Sequence, residues 1–360
     1  MIQTKHFSFR SIRQFFCIVL FSYSFIPASA QYYNSAFGKN GLILKSALHT
    51  IIQGHTVGTY ADLWTDYFTT DNKGGNILWD IYSDIPGGVP AYTYTLGSNQ
   101  CGTYNSEGDC YNREHIWPAN YFNDNLPMYT DVQMIYPTDG WVNNKHGNLP
   151  YGKVNSVAWT SQNGCKTGSS STYSGSSLDV FEPIDSFKGD IARVYFYMST
   201  RYEGEDAGWL NWEMANGAEL TQDAITILLA WHHADPVSQK EIDRNNNAYG
   251  IQGNRNPFID YPQFADCIWG TGDCTSLSLK NVELNSLLKI YPNPATEKFY
   301  IEANEHCTIS SYTLYNLTGQ KIAERLASNK SVDIHELPTG TYMLMLNTNK
   351  GVAKKLLVKE

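Results

Sequence analysis

Two stretches in the middle of the chain, YNREHIWPANYF at 111–122 and DVQMIYPTDGWVNNKHGNLPYGKV at 131–154, gather residue types able to break a phosphodiester. Glu114 and His115 set a carboxylate beside an imidazole that can take a proton from water. Downstream, the carboxamides Asn143, Asn144 and Asn148 supply neutral oxygen ligands of the hard kind that suits Mg²⁺. Hydrolysis needs a base to activate water, a cation on the scissile phosphate and support for the leaving oxygen. The two stretches contain the first two. Neighbours on an ideal strand point to opposite faces, so Glu114 and His115 converge on one phosphate only where the strand ends or bulges, and Pro118 makes such an end plausible. Taken alone, a Glu-His pair reads as readily as a surface ion pair or a satisfied core histidine.

The elements that must position these groups are partly legible. From Gly41 to Trp79 the pattern is helical, with Leu42, Leu44, Leu48, Ile51 and Ile52 at three-to-four-residue spacing and a second run from Tyr60 to Phe68. Residues 86–110 are rich in Gly, Tyr and Thr and read as loop or irregular strand. The stretch TSQNGCKTGSSSTYSGSS at 160–177 reads on composition as a surface loop. Asp190 opens an apolar run that fits a buried helix, and another helix runs from Thr221 to near Trp231. Asp235-Pro236 has the form of an N-cap with proline at the first helical position, predicting a helix toward Tyr249. His232, His233 and Asp235 read as helix-end structure, because adjacent helical residues diverge in direction.

With 360 residues, 42% of them hydrophobic and 14% aromatic, the chain can bury a substantial core, which excludes disorder throughout. Residues 1–30 order Lys5, Arg10 and Arg13, an apolar run from Phe15 to Ile26, and Ala28-Ser29-Ala30 as a secretory signal peptide does. No later segment reads as a membrane span. Export exposes the cysteines to oxidation, and the short-range pairs Cys101 with Cys110 and Cys267 with Cys274 are the natural disulfides. Cys165 and Cys307 have no obvious partner. Residues 31–272 carry 13 Lys and Arg against 26 Asp and Glu, a net charge of −13. A nucleic-acid site on so acidic a body must be a local patch, with a metal ion supplying much of the phosphate attraction and activity falling steeply with added salt.

Near residue 275 the texture changes. A linker at 273–285 leads into strand-like runs KFYIEA, SYTLYNL and GTYMLMLN, separated by turn residues 316–319 and 338–340, a small all-β module at 286–360. Its LKIYPNPATEKFYI, LYNLTGQKI and LPTGTYMLMLNTNKGVAKKLLVKE resemble the C-terminal sorting domain of the type IX secretion system of Bacteroidetes. That resemblance implies the type IX machinery as partner, a location outside the cell or on its outer surface, and no catalysis in the tail.

The two central stretches, with FEPIDSFKGDIARVYFYM at 181–198, LLAWHHADPVSQKEIDRNN at 228–246 and IQGNRNPFIDYPQFA at 251–265, resemble the endonuclease I family in content and order over roughly residues 40–270. The resemblance implies an α+β fold: a ββα-metal core with surrounding helices in a 31–272 catalytic domain, followed by the sandwich-like tail. It implies a secreted endonuclease cutting DNA, and often RNA, with little sequence preference to leave 5′-phosphates. Carried onto this chain, His115 is the general base and Glu114 and Asn143 hold one divalent cation, Mg²⁺ with Mn²⁺ or Ca²⁺ as substitutes. A monomer is expected. Three departures stand out. Gln133 replaces a frequent histidine, His146 stands where an arginine commonly follows the asparagine pair, and a phosphate-contacting arginine has no counterpart between His115 and Asp131. Arg113, Lys145, His146 and Arg255 are the remaining candidates for phosphate support. Two rival readings are a secreted carbohydrate-active enzyme, suggested by acidity and aromatics, and an inactive surface-binding protein on the same scaffold.

Overall fold

The computed structural model describes residues 32–173, 178–275, 284, 287–304, 307–316, 320–326, 331–349 and 351–360. The expected leader at 1–30 and most of the expected linker at 273–285 lie outside the described residues. So do 174–177 of the Ser-rich stretch and 317–319 of one tail turn. Helices and strands are mixed along the chain, and two hydrophobic clusters form. One gathers side chains from Tyr33 to Cys274, the other from Leu284 to Leu357. No helix among the described residues is long and apolar enough to cross a membrane.

The first unit opens with α1 (Gly41–Ile52) and α2 (Leu63–Thr70). Leu44, Leu48 and Ile52 of α1 are buried at i, i+4, i+8, as a helical stripe requires, while Leu42 is 69% exposed and lies off that stripe. The helical reading stops at Thr70, and Trp79 lies in irregular backbone. Beyond it come β1 (Tyr111–His115), β2 (Ile135–Asp139) and α3 (Gly140–His146). Strands β1 and β2 form a two-stranded antiparallel sheet with Tyr111 opposite Asp139 and His115 opposite Ile135. Pro137 is tolerated because a two-stranded sheet is all edge. Asp139, the last residue of β2, also caps α3 by accepting the Val142 N–H at 2.8 Å, so strand and helix are joined without a loop.

The Ser-rich stretch corrects the loop expected there. Lys166–Ser170 forms β4, the middle strand of an antiparallel sheet between β3 (Ser156–Thr160) and β5 (Leu178–Glu182). Cys165, Gly168, Ser170 and Tyr173 are buried. Its residues carry no apolar alternation, and the flanking strands recruit it by pairing its backbone; the Ser170 hydroxyl donates to the Lys153 carbonyl at 2.6 Å.

The organising helix is α4 (Lys188–Arg201), buried from Gly189 to Arg201. It packs against α5 (Gln222–Ala234), which is capped by Thr221. The next helix, α6, covers Gln239–Gln252. Its cap is Ser238 in a reciprocal capping box with Glu241, which corrects the start expected at Asp235. Asp235 instead accepts the Gly189 N–H at 2.9 Å, near the start of α4. A Cβ at Gly189 would lie 2.1 Å from the Asp235 carbonyl oxygen, so only glycine permits this approach. Arg193 of α4 reaches Glu241 at 2.9 Å with both side chains buried, locking α4 to α6. Short helices α7 (Pro257–Asp260) and α8 (Phe264–Trp269) close the unit. Disulfides join Cys101 to Cys110 and Cys267 to Cys274, each with Cα atoms 5.7 Å apart, while Cys165 and Cys307 are free and buried.

The described strands of the tail pair antiparallel. Strands β8 (Ile309–Asn316), β9 (Lys321–Leu326), β11 (Gly340–Thr348) and β12 (Gly351–Lys359) form one sheet in the order β9-β8-β11-β12. A second contains β6 (Leu288–Tyr291), β7 (Lys298–Ala303) and β10 (Ser331–Asp333) in the order β10-β7-β6. Phe299 and Ile301 of one sheet share a core with Leu314, Leu344 and Leu346 of the other.

Candidate active site

Strand β1 ends at His115, and that end lets two neighbouring side chains meet. Glu114 and His115 both line a cleft of about 340 Å³ that also takes in Tyr104, Arg113, Asn120, Asp124, Asn143 and Asn148. Glu114 is 3% exposed. Its Oε1 accepts from the Tyr82 hydroxyl at 2.8 Å and lies 2.6 Å from His146 Nδ1. Both contacts fall on one oxygen, so the other has no protein partner among the described residues and remains available to the cleft.

His115 is sandwiched among rings. Its imidazole stacks with Tyr129 at 4.9 Å between centroids and with Tyr60 at 5.8 Å. Nε2 lies 3.3 Å from the Tyr129 carbonyl oxygen. A carbonyl can only accept, so Nε2 carries the proton and Nδ1 keeps its lone pair. Burial pushes the pKa down to about 4 against the opposing carbonyl bond, with Arg113 adding in the same direction as burial. The imidazole is therefore neutral near pH 7, the form a base requires.

Asn143 sits on α3, where Asp139 starts the helix and Gly147 closes it. Its amide nitrogen donates to Asn112 Oδ1 at 2.7 Å and faces the Arg113 carbonyl at 3.5 Å. That carbonyl fixes which end is NH₂, so Oδ1 is the atom left to a ligand. Glu114 and Asn143 together present an anionic and a neutral oxygen, a donor set that fits a hard divalent cation completed by water or phosphate. Among the described residues no three His, Cys, Asp or Glu side chains gather as a metal cage.

The four candidates for phosphate support separate. Arg113 lines the cleft, its guanidinium 3.5 Å from the Tyr60 ring centre and 4.3 Å from that of Trp64, with Nη1 donating to the Tyr60 carbonyl at 2.6 Å. Lys145 lies over Trp141 and Trp159 and does not line the cleft. His146 is buried behind Glu114, its Nε2 3.1 Å from the Leu149 carbonyl. Arg255 is tied to Asp260 at 2.7 Å and to Asn246, and does not line the cleft.

Other residues singled out in sequence are held elsewhere. Gln133 is buried and donates to Asn245 Oδ1 and the Asn254 carbonyl. His232 faces the Pro262 carbonyl, His233 pairs with Asp266 and Asp235 takes the Gly189 N–H, so the three do not converge. Sequence reasoning missed Tyr82, Tyr129 and Asn112, which hold the three central side chains. Only long-range packing brings them there.

The chain's similarities to known proteins agree with this geometry. The family model described as Endonuclease I matches residues 40–263, and that of a secretion system C-terminal sorting domain matches 289–360. An extracellular ribonuclease of Bacillus amyloliquefaciens is 37% identical over 245 residues, covering 66% of this chain and 78% of that protein. The extracellular ribonuclease of Bacillus subtilis is 35% identical over 248 residues with the same coverage. Endonuclease-1 of Buchnera aphidicola subsp. Baizongia pistaciae is 29% identical over 188 residues, 52% of this chain and 63% of its own. The sorting domain and the extracellular relatives mark a secreted protein. The chain belongs to the endonuclease I family.

Proposed function

We propose that this secreted member of the endonuclease I family cuts phosphodiester bonds in both DNA and RNA, with His115 as general base and one divalent cation, Mg²⁺ by preference, held by Glu114 and Asn143. The observation that carries the reading is the meeting of all three in one cleft, with a lone pair on His115 and an oxygen on each of Glu114 and Asn143 left without a protein partner among the described residues. The relatives named as extracellular ribonucleases support RNA as substrate, and one named as an extracellular deoxyribonuclease supports DNA.

His115 Nδ1 takes a proton from the attacking water, and the Tyr129 carbonyl keeps the ring in the tautomer that can do so. Tyr82 and His146 fix the Glu114 carboxylate from behind, while Asn112 fixes the Asn143 amide. Arg113, the one Lys or Arg lining the cleft among the described residues, steadies the phosphate. The cation, when bound, neutralises charge on the scissile phosphate and on the departing 3′ oxygen. The products are a 3′-hydroxyl and a 5′-phosphate. In domain terms, residues 31–272 do the chemistry, 273–285 link, and 286–360 address the chain to the type IX machinery after a leader at 1–30 is removed.

The test is digestion of plasmid DNA, single-stranded DNA and RNA by the purified secreted protein with Mg²⁺, Mn²⁺ or Ca²⁺, with end-group analysis of the products. Cleavage that stops in EDTA and leaves 5′-phosphates is expected. Cleavage indifferent to EDTA, or none with any divalent cation, refutes the reading.

A further inference from the structure

The cleft contains one aromatic side chain that no step above uses. Tyr104 lines it together with Glu114, His115 and Asn143, and is half-buried. It sits in the loop closed by the Cys101–Cys110 disulfide. That loop is pinned to the start of α3: the Gly140 N–H donates to the Cys110 carbonyl at 2.9 Å and the Gly108 N–H to Asp139 Oδ2 at 2.8 Å. A Cβ at Gly140 would lie 2.5 Å from Tyr104 Cδ1, 2.9 Å from Cε1 and 3.2 Å from Cγ. Beyond the ring edge, the two outer distances would be nearer 3.4 Å, so the missing Cβ points at the ring face. Gly140 thus lets one face of Tyr104 lie against the helix start. Tyr60 and Tyr129 spend their faces on His115, but no aromatic or cationic side chain among the described residues stacks on Tyr104.

We infer that Tyr104 is a stacking platform for the base next to the scissile phosphate, and that it makes the enzyme favour unpaired strands over duplex. The inference rests on the nuclease reading of the same cleft. A planar ring backed on one side, lining the cleft of the proposed reacting groups and carrying no stacked aromatic or cationic side chain among the described residues, accepts any base by its π-face without reading sequence. In a duplex both faces of each base are covered by its neighbours, so stacking on Tyr104 requires extrusion of the base, whereas a single strand offers it at little cost. The platform also compensates for a cleft with a single guanidinium: affinity that most nucleic-acid binders draw from phosphate contacts comes here partly from the base.

The experiment compares the secreted wild type with Tyr104→Ala and Tyr104→Phe on a single-stranded oligonucleotide and on the same sequence as duplex, with circular dichroism as the folding control. For Tyr104→Ala, KM on the single strand is expected to rise about tenfold with a smaller change in kcat, and the loss on duplex is expected to be several-fold less. Tyr104→Phe, which keeps the ring, recovers most of the loss. Equal losses on both substrates, no loss on the single strand, or a Tyr104→Phe defect as large as that of Tyr104→Ala overturns the platform. Failure of the nuclease reading shows separately, as absence of cleavage by the wild type. In that event, anisotropy of a fluorescein-labelled dT oligonucleotide with wild type and Tyr104→Ala still reads the platform, and equal binding by the two overturns it.

Discussion

His146 Nδ1 lies 2.6 Å from Glu114 Oε1, with both side chains buried. His146 Nε2 lies 3.1 Å from the Leu149 carbonyl oxygen. The imidazole is therefore held at both nitrogens, and it holds a carboxylate whose other oxygen has no protein partner among the described residues. A histidine standing where the family resemblance leads one to expect a phosphate-binding cation is here placed to orient the carboxylate proposed to hold the metal. His146→Ala should raise the Mg²⁺ concentration for half-maximal rate by about 10- to 100-fold, the usual cost of removing a group that orients a metal ligand. Excess Mg²⁺ should restore much of the rate. An unchanged Mg²⁺ dependence in folded protein removes His146 from this role.

As the proposed general base, His115 should set the acid limit of the reaction by its protonation state. Its pKa is lowered to about 4, first by burial, and a bound cation nearby pushes in the same direction. The neutral ring is the active form, so activity is present above that value and is lost as pH falls through it. The acid limb of kcat/KM should lie near pH 4 to 5 rather than near the ordinary histidine value of about 6.5. A pH–rate profile at saturating Mg²⁺ checks this, and a limb at 6.5 would mean that the ring is open to water.

How much of this was legible follows from the range of the interactions. Glu114, His115 and the asparagine block are local, and Pro118 correctly signals the strand end that lets the first two share a cleft. The disulfides are equally local. The cap at Ser238 was also there to be read, since Ser238 and Glu241 have capping-box spacing, but the Asp-Pro at 235–236 drew the boundary to itself. Strand β4 was hidden because Ser, Thr and Gly have no apolar alternation; only its partners at 156–160 and 178–182 make it a strand. The fates of His146 and Arg255 depend on contacts with Glu114 and Asp260 that composition does not predict. Lys145, one residue before His146, points away to Trp141 and Trp159.

Those placements revise the expected salt response. Of the four cationic candidates only Arg113 lines the cleft, while the body around it carries a net charge of −13. For single strands the slope of log affinity against log salt is about −0.7 per phosphate contact neutralised. One contact gives a shallow slope of about −0.7, in place of the steep fall anticipated from the need for phosphate contacts. KM for a single-stranded oligonucleotide, measured from 50 to 300 mM NaCl at fixed Mg²⁺, decides between them. A slope steeper than about −3 would reveal a basic surface beyond this cleft.

The roles of the three central residues separate because a base and a ligand fail differently. His115→Ala removes proton abstraction, worth roughly 10²- to 10⁴-fold, and leaves both oxygen ligands in place, so added Mg²⁺ should not restore the rate. Asn143→Ala removes a neutral oxygen and weakens the ion's hold without adding charge; saturating Mg²⁺ should recover part of the activity. Glu114→Ala removes the anionic oxygen, which contributes more to a hard cation, and it also strands Tyr82 and His146 without their shared acceptor. Its recovery should be the smaller of the two, and its thermal stability the lower. The measurement is cleavage rate against Mg²⁺ concentration for the three folded variants. Rescue of His115→Ala by high Mg²⁺, with none for Asn143→Ala, would reverse the assignment and make the imidazole a metal ligand.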